Sequence, residues 1–401
     1  MTDSLKELKR RDMNLAATQT IKETMTKPHQ HPLQKILESR IAIIDGAMGT
    51  TIRAYGMTEA DMRGERFRNS TKDLKNNGDL FSLTQPQMIG DIHRRFLEAG
   101  ADIIETNTFG ATSITQSEFF VDDPRERGGR KDPAFYQKII EDAFLKGLAW
   151  EINEQSARQC REWADRVTNE TGRQRFVAGA IGPLTVSLSN SPDADDAGFR
   201  VVTFDQVKTA YAEQARALIA GGVDLLLVET IFDSLNAKAA LVAIREVFDE
   251  DGGKALPVMI SAAVGRGGET LISAQTTEAF WNAVKHMKPL SVGLNCSLGP
   301  DLMYPFLSEL SEKADVAISC YPNAGLPNPL SETGFDLGPA DMARYLSDFA
   351  RAGLINIAGG CCGNTPEHIE AIAKALEGMP PRKWGAESVE ESYALQSENR
   401  A

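Results

Sequence analysis

Two adjacent cysteines, Cys361 and Cys362, stand between glycines in Gly359-Gly-Cys-Cys-Gly363, directly after the strand-like Ile355-Asn-Ile-Ala358. A disulfide between chain neighbours closes a strained ring, far from the usual Cα separation of bonded cysteines. Two thiols offered side by side suit a soft divalent metal, and zinc is the first choice for a sulfur-rich site. Such a site needs another ligand from elsewhere. Cys296, in Asn295-Cys-Ser-Leu-Gly299, is the candidate third thiolate, with Cys320 as its competitor and Cys160 in a helical stretch. Three thiolates leave a tetrahedral zinc one position short, and an open position marks a catalytic site. Thiolate-rich zinc is a poor generator of hydroxide. It is suited to binding an incoming thiol, lowering its pKa and holding it as a nucleophile. The chemistry expected is alkyl transfer to sulfur.

A thiol substrate with an amino-acid head needs receptors for an ammonium and a carboxylate. Asp45 and Glu229 are the candidate acceptors for the ammonium, and backbone N–H groups from Gly46 to Gly49 can take the carboxylate. Asn107 is a further polar candidate. The plainer roles are a loop cap for Asp45 and a core ion pair for Glu229.

These residues must be positioned by strands. Eight apolar runs begin at Ile41, Asp102, Arg175, Asp224, Pro257, Ser291, Asp315 and Ile355, and most intervals carry a helical pattern. Runs this apolar suit strands buried on both faces of a parallel sheet. The phrases Glu98-Ala-Gly-Ala-Asp102 and Ala220-Gly-Gly-Val-Asp224 each close a helix with Gly and enter a strand through Asp; Arg351-Ala-Gly-Leu354 is a weaker copy. The pattern predicts an α/β fold, a (β/α)₈ TIM barrel, with its active site at the C-terminal ends of the strands. Asp45, Asn107, Glu229, Cys296 and Cys361 all follow such ends. The expected organisation is a flexible arm over residues 1–32, a barrel over 33–380 and a tail or linker over 381–401. His29 and His31 read as part of the solvated arm. Residues 122–132 read as an exposed loop before a helix from Ala134 to Gln159.

A net charge of −13 argues against nucleic acid or an anionic membrane as partner. Five cysteines without a framework spacing point to reduced thiols and a cytoplasmic setting. No apolar run of transmembrane length and no secretory signal are legible.

The chain resembles the homocysteine S-methyltransferase family, most closely the N-terminal homocysteine-binding module of cobalamin-dependent methionine synthase. The likeness runs from about Leu33 to Trp384 and rests on Asp45-Gly-Ala-Met-Gly-Thr50, Asp61-Met-Arg-Gly-Glu-Arg-Phe67 and Glu105-Thr-Asn-Thr-Phe109. Asn236-Ala-Lys-Ala-Ala240, Gly293-Leu-Asn-Cys-Ser-Leu-Gly-Pro300, Pro322-Asn-Ala-Gly-Leu-Pro-Asn328 and Gly359-Gly-Cys-Cys-Gly-Asn-Thr-Pro366 extend it. The resemblance implies zinc held by Cys296, Cys361 and Cys362, with Asn323 able to fill the fourth position when substrate is absent. It implies that Asp45 and Glu229 hold the amino group of L-homocysteine, which becomes methionine. It also implies methylcobalamin as methyl donor, bound elsewhere, on cobalamin- and folate-binding modules or chains. The chain shows no second barrel and no Asp-x-His-x-x-Gly cobalamin motif, so an excised module or one part of a split enzyme is expected. The loop Ala262-Ala-Val-Gly-Arg-Gly-Gly-Glu-Thr270 departs from the Ser/Thr-rich loop of the family. Competing expectations are an S-methylmethionine- or betaine-dependent homocysteine methyltransferase, a structural zinc site, and a redox sensor built on a vicinal cysteine pair.

Overall fold

The eight apolar runs become eight parallel strands, each hydrogen-bonded to its sequence neighbours. The computed structural model describes residues 31–385 except 251, 253–254 and 332–333. The strands are β1 (Ala42–Ile43), β2 (Ile103–Glu105), β3 (Phe176–Ile181), β4 (Leu225–Ile231), β5 (Val258–Ala262), β6 (Ser291–Asn295), β7 (Ala317–Tyr321) and β8 (Ile357–Ala358). β1 pairs with β8, and a parallel bridge from Ile44 to Ile103 joins β1 to β2, closing the ring. Helices occupy the intervals, so the fold is the (β/α)₈ TIM barrel.

Strand side chains alternate between two apolar compartments, as the two-residue period of a strand requires. Ala42, Ile44, Ile103, Phe176, Ala178, Leu225, Leu227, Met259, Ala317, Tyr321 and Ile357 pack together in the barrel interior. The intervening Ile43, Ile104, Val177, Leu226, Ile260, Val292, Ile318 and Cys320 pack with the surrounding helices. The helix Pro32–Ser39 sends Leu33 and Leu37 into the interior compartment and closes its floor. His31 is not part of a solvated arm: its ring Nδ1 accepts the Leu33 N–H at 3.3 Å and its ring lies 5.8 Å from that of Phe176. His29 falls outside the described residues.

The recurring Gly-x-Asp phrase has a structural cause. Asp102 accepts the N–H of Ile43 on β1 at 2.9 Å, and Asp224 accepts that of Val177 on β3 at 2.7 Å. Each carboxylate ties the entry of its strand to the preceding one. Arg40 and Arg173 neutralise Asp102, while Arg161 neutralises Asp224. In the weaker copy Asn356 takes this part, accepting the N–H of Ile318 on β7 at 2.8 Å.

The long interval after β2 differs from expectation. A helix Ser113–Phe120 precedes the loop, which itself holds the 3₁₀ turn Pro124–Arg127. The predicted helix is two, Pro133–Glu141 and Ala143–Thr171, because Asp142 leaves helical geometry to cap the second one through the Leu145 N–H. Among the described residues no helix is long and apolar enough to cross a membrane.

Candidate metal centre and substrate cavity

β6 ends on Asn295, and the chain then enters the left-handed region at Cys296 (φ 59°) and Ser297 (φ 63°). Two consecutive non-glycine residues there are costly, at roughly 1 kcal/mol or more each. The turn is held by Leu298 N–H donating to Cys296 O at 2.7 Å and Cys296 N–H donating to Tyr321 O at 3.3 Å. Two strands away, Cys361 N–H donates to Pro322 O (2.8 Å), and Ala324 N–H donates to Cys362 O (2.9 Å). The segment after β7 thus brackets the segment after β8. Gly360 leaves room for Asn364: a Cβ at 360 would sit 2.1 Å from its Cγ. Gly363, at φ 83°, lies against Phe335 and turns the chain away.

These turns bring three sulfurs together. The Sγ atoms of Cys296, Cys361 and Cys362 all lie within 4.8 Å of one another, with Cys296 and Cys362 3.9 Å apart. The set fits a soft cation by donor type and spacing. Buried Asn323 leaves its Oδ1 without a partner, and its neighbour Ala324 bonds to Cys362. Hydrogen bonds from Cys296 and Cys361 hold Cys362 down to about 3. The bond with Cys361 works downward at Cys296, but donation to Cys362 and burial outweigh it and lift that thiol to about 12. Cys361 is raised by its hydrogen bonds to Cys296 and Cys362 and by burial. Binding a metal here must release the remaining thiol protons.

Cys320 is outside this group. The strand period turns it outward, where its sulfur sits 3.7 Å from Met303 Sδ, whereas the next residue, Tyr321, faces inward. Cys160 is buried in its helix, 3.2 Å from His93 Nε2.

The sulfurs open onto a cavity of about 520 Å³ at the C-terminal end of the barrel, lined also by Asp45, Glu105, Glu229 and Tyr321. Asp45 Oδ2 accepts the Glu105 N–H at 3.0 Å, while its buried Oδ1 has no partner. Burial pushes Asp45 well above the usual carboxylate range, and the charge of Glu229 adds to this. Burial also lifts Glu229, to about 7, against hydrogen bonds to Glu105 and Thr230 that lower it. Glu105 is raised by burial and by the charges of Glu229 and Asp45. Three carboxylates around one cavity, with an oxygen unsatisfied, call for a cation.

The helix Met48–Ala54 starts in the same wall, and no side chain caps its first turn. The N–H groups of that turn have no intrahelical partner. Gly49 is open on its Cα side, with nothing within 4 Å, whereas a Cβ at Gly46 would meet Phe96 at 2.8 Å. Asn107 lines the cavity, but its Nδ2 donates to Gly78 O (2.9 Å) and Ser82 Oγ (3.1 Å), so only its oxygen remains for a ligand.

Three participants escaped the sequence reading. Glu105 was legible, as the last residue of β2 opening the Glu105-Thr-Asn-Thr-Phe109 motif. Tyr321 was hidden by one residue of strand parity; its hydroxyl is buried without a partner. Asn295 was masked by its place inside the strand that leads to Cys296.

An eight-stranded barrel whose C-terminal rim gathers thiols and carboxylates defines a barrel enzyme of thiol chemistry. The profile of the homocysteine S-methyltransferase family matches residues 42–376, and the chain belongs to that family of enzymes. Among solved structures it is similar to the metallated homocysteine methyltransferase MmuM from Escherichia coli. The TM-score is 0.60 at 20% identity, over 86% of this chain and 99% of that one. The apo form of MmuM matches with a TM-score of 0.57 at 18% identity, over 87% and 100% of the two chains. At these identities the likeness speaks for the fold.

Proposed function

We propose that the chain catalyses zinc-dependent methyl transfer to the thiol of L-homocysteine, giving methionine. The observation that carries the metal assignment is the convergence of three sulfurs from β6 and β8 beside buried, under-satisfied carboxylates. Cys296, Cys361 and Cys362 would hold the ion, and Asn323, whose neighbour Ala324 bonds to Cys362 O, would offer its unpaired Oδ1 as a further ligand. Bound zinc lowers the pKa of a thiol and keeps its sulfur nucleophilic at neutral pH.

The remaining residues bind and orient. Asp45 offers its free Oδ1 to the substrate ammonium, and Glu229 and Glu105 face the same charge. The N–H groups from Gly46 to Gly49, leading into and opening the helix Met48–Ala54, receive the carboxylate, and Asn107 has its oxygen free for a polar contact. Phe109, Phe119 and Phe335 line the cavity and limit water around the sulfur. A head group held at one end and sulfur at the other leaves the thiol facing the open rim, where a donor must arrive.

Methylcobalamin, held by cobalamin- and folate-binding modules or chains of a methionine synthase, is the donor we favour, because Arg63-Gly-Glu-Arg-Phe67 resembles that branch. One observation supports a second donor reading. The MmuM chain is covered over 99% of its length, so in that protein a barrel of this extent is the whole chain. A small donor such as S-methylmethionine or betaine would then suffice here too. A redox switch built on Cys361 and Cys362 would not need the third convergent sulfur. The reduced state such a thiol cluster requires fits a cytoplasmic location.

The deciding experiment combines metal analysis with a donor panel. The purified chain should carry about one zinc, lost in Cys296→Ala, and should form methionine from homocysteine with methylcobalamin. Methylation from S-methylmethionine or betaine alone would move the chain to the other donor class. A metal-free chain whose homocysteine chemistry ignores these cysteines would refute the proposal.

A further inference from the structure

The carboxylate that faces the substrate head and the thiol at the other end of the cavity are joined by a single side chain. Asn295 is fully buried at the end of β6, immediately before Cys296. Its Nδ2 donates to Thr230 Oγ1 at 2.7 Å and lies 3.5 Å from Glu229 Oε2. Its Oδ1 accepts the Thr230 N–H at 3.1 Å and the Ser261 hydroxyl at 2.7 Å. One carboxamide thus spans β4, β5 and β6.

What it holds on β4 is an irregular corner. The register of β4 against β5 shifts between Val228 and Ile231, and Thr230 sits at φ 51°, a conformation that a β-branched residue avoids. The Thr230 N–H donates to Asn295 Oδ1 and its Oγ1 accepts from Asn295 Nδ2, while the same hydroxyl donates onward to Glu229 Oε2 at 3.4 Å. Glu229 lies within the corner, so its direction into the cavity depends on these bonds. Cys296 is the next residue along the chain from Asn295 and is itself in the left-handed region at φ 59°. The distance from carboxylate to thiol is therefore set through one rigid side chain and one peptide unit.

We infer that Asn295 is a positioning residue that fixes the spacing between the ammonium-binding carboxylate and the thiol-binding centre, and so makes the site a ruler for chain length. The inference rests on the functional reading above. A ruler of this kind favours homocysteine over cysteine, which carries the same head and thiol one methylene closer together. A single methylene in a fitted pocket is worth about 10- to 200-fold in discrimination.

The test is calorimetric binding of homocysteine and of cysteine to the zinc-loaded full chain, in wild type and in two near-isosteric variants. Asn295→Asp removes the donor to Thr230 Oγ1, and Thr230→Val removes that acceptor together with the hydroxyl's own bond to Glu229 Oε2, while keeping the branched shape. Wild type should prefer homocysteine by at least about tenfold. Both variants should keep their zinc and narrow that preference about fivefold or more, chiefly by weakening homocysteine. A merely structural role would weaken both ligands alike and leave the ratio unchanged; that result overturns the inference, as does loss of zinc in Thr230→Val. If Asn295→Asp fails to fold, Thr230→Val decides for the chain of bonds from Asn295 through Thr230 to Glu229 as a unit. Equal binding of both thiols by wild type overturns the ruler and leaves homocysteine binding standing. A wild-type chain that binds no homocysteine overturns the functional reading and this inference with it.

Discussion

Glu229 has to stay buried without a substrate cation and ionised with one, and its environment shows the tension. Burial lifts it from an ordinary 4.5 to about 7. A carboxyl whose folded pKa exceeds its unfolded value adds stability below the unfolded value, and that contribution is lost as pH rises through the folded one. Asp79 is raised to about 7 by burial as well, so it acts in the same direction. The substrate-free protein should thus lose thermal stability as pH climbs from about 5 to about 8. Glu229→Gln should flatten that slope in part, retain zinc and raise the homocysteine KM tenfold or more, on the order of 1.4 kcal/mol. Melting curves across pH, with metal analysis, check this. An unchanged slope, or zinc lost in the variant, would show that the carboxylate has another role.

At the scale of elements, the ends of the strands and the turns that leave them carry the chemistry. The turn after β8 works because Gly360 lets Asn364 come in beneath it, where Asn364 Nδ2 donates to Pro322 O (3.0 Å) and Cys361 O (3.1 Å). Gly360→Ala should displace Asn364 and the sulfur of Cys361 with it, so zinc affinity should fall at least tenfold. Gly49→Ala is the contrasting variant, since a Cβ there meets nothing within 4 Å and the backbone N–H is kept. It should retain both zinc and homocysteine binding. Competition with a chromophoric chelator ranks the two. Normal zinc affinity in Gly360→Ala would mean that the turn tolerates repacking.

The whole molecule separates stability from function along the barrel axis. At the N-terminal end of the strands, the helix Pro32–Ser39 plugs the interior, and Asp102 joins β1 to β2. Burial alone would raise Asp102, but Arg40 and Arg173 outweigh it and keep the carboxylate ionised. At the opposite end lie the sulfurs and the carboxylates of the cavity. Leu37, fully buried in the floor, should therefore be a pure stability residue. Leu37→Ala should cost about 2–4 kcal/mol in urea unfolding while zinc content and homocysteine KM stay unchanged. A loss below about 1 kcal/mol would show that the floor helix packs loosely.

Much of this was determined by local order in the chain. Apolar runs separated by helical patterns specify a parallel barrel, because only buried strands tolerate such runs. A barrel places whatever follows each strand on one rim, so Cys296, Cys361, Asp45 and Glu229 could be grouped from their positions alone. Tertiary structure decided what depends on parity and on strained corners. One residue of strand register sends Cys320 out to Met303 and Tyr321 into the cavity. The floor helix and the cap at His31 needed the closed interior to exist before their apolar faces had a place to go. Glu105 joined the site only when ring closure set the end of β2 between those of β1 and β3, within reach of the charges of Asp45 and Glu229. The left-handed turns at Thr230 and Cys296 are held by Asn295 and by neighbouring strands, not by glycine, and nothing in their own sequence announces them.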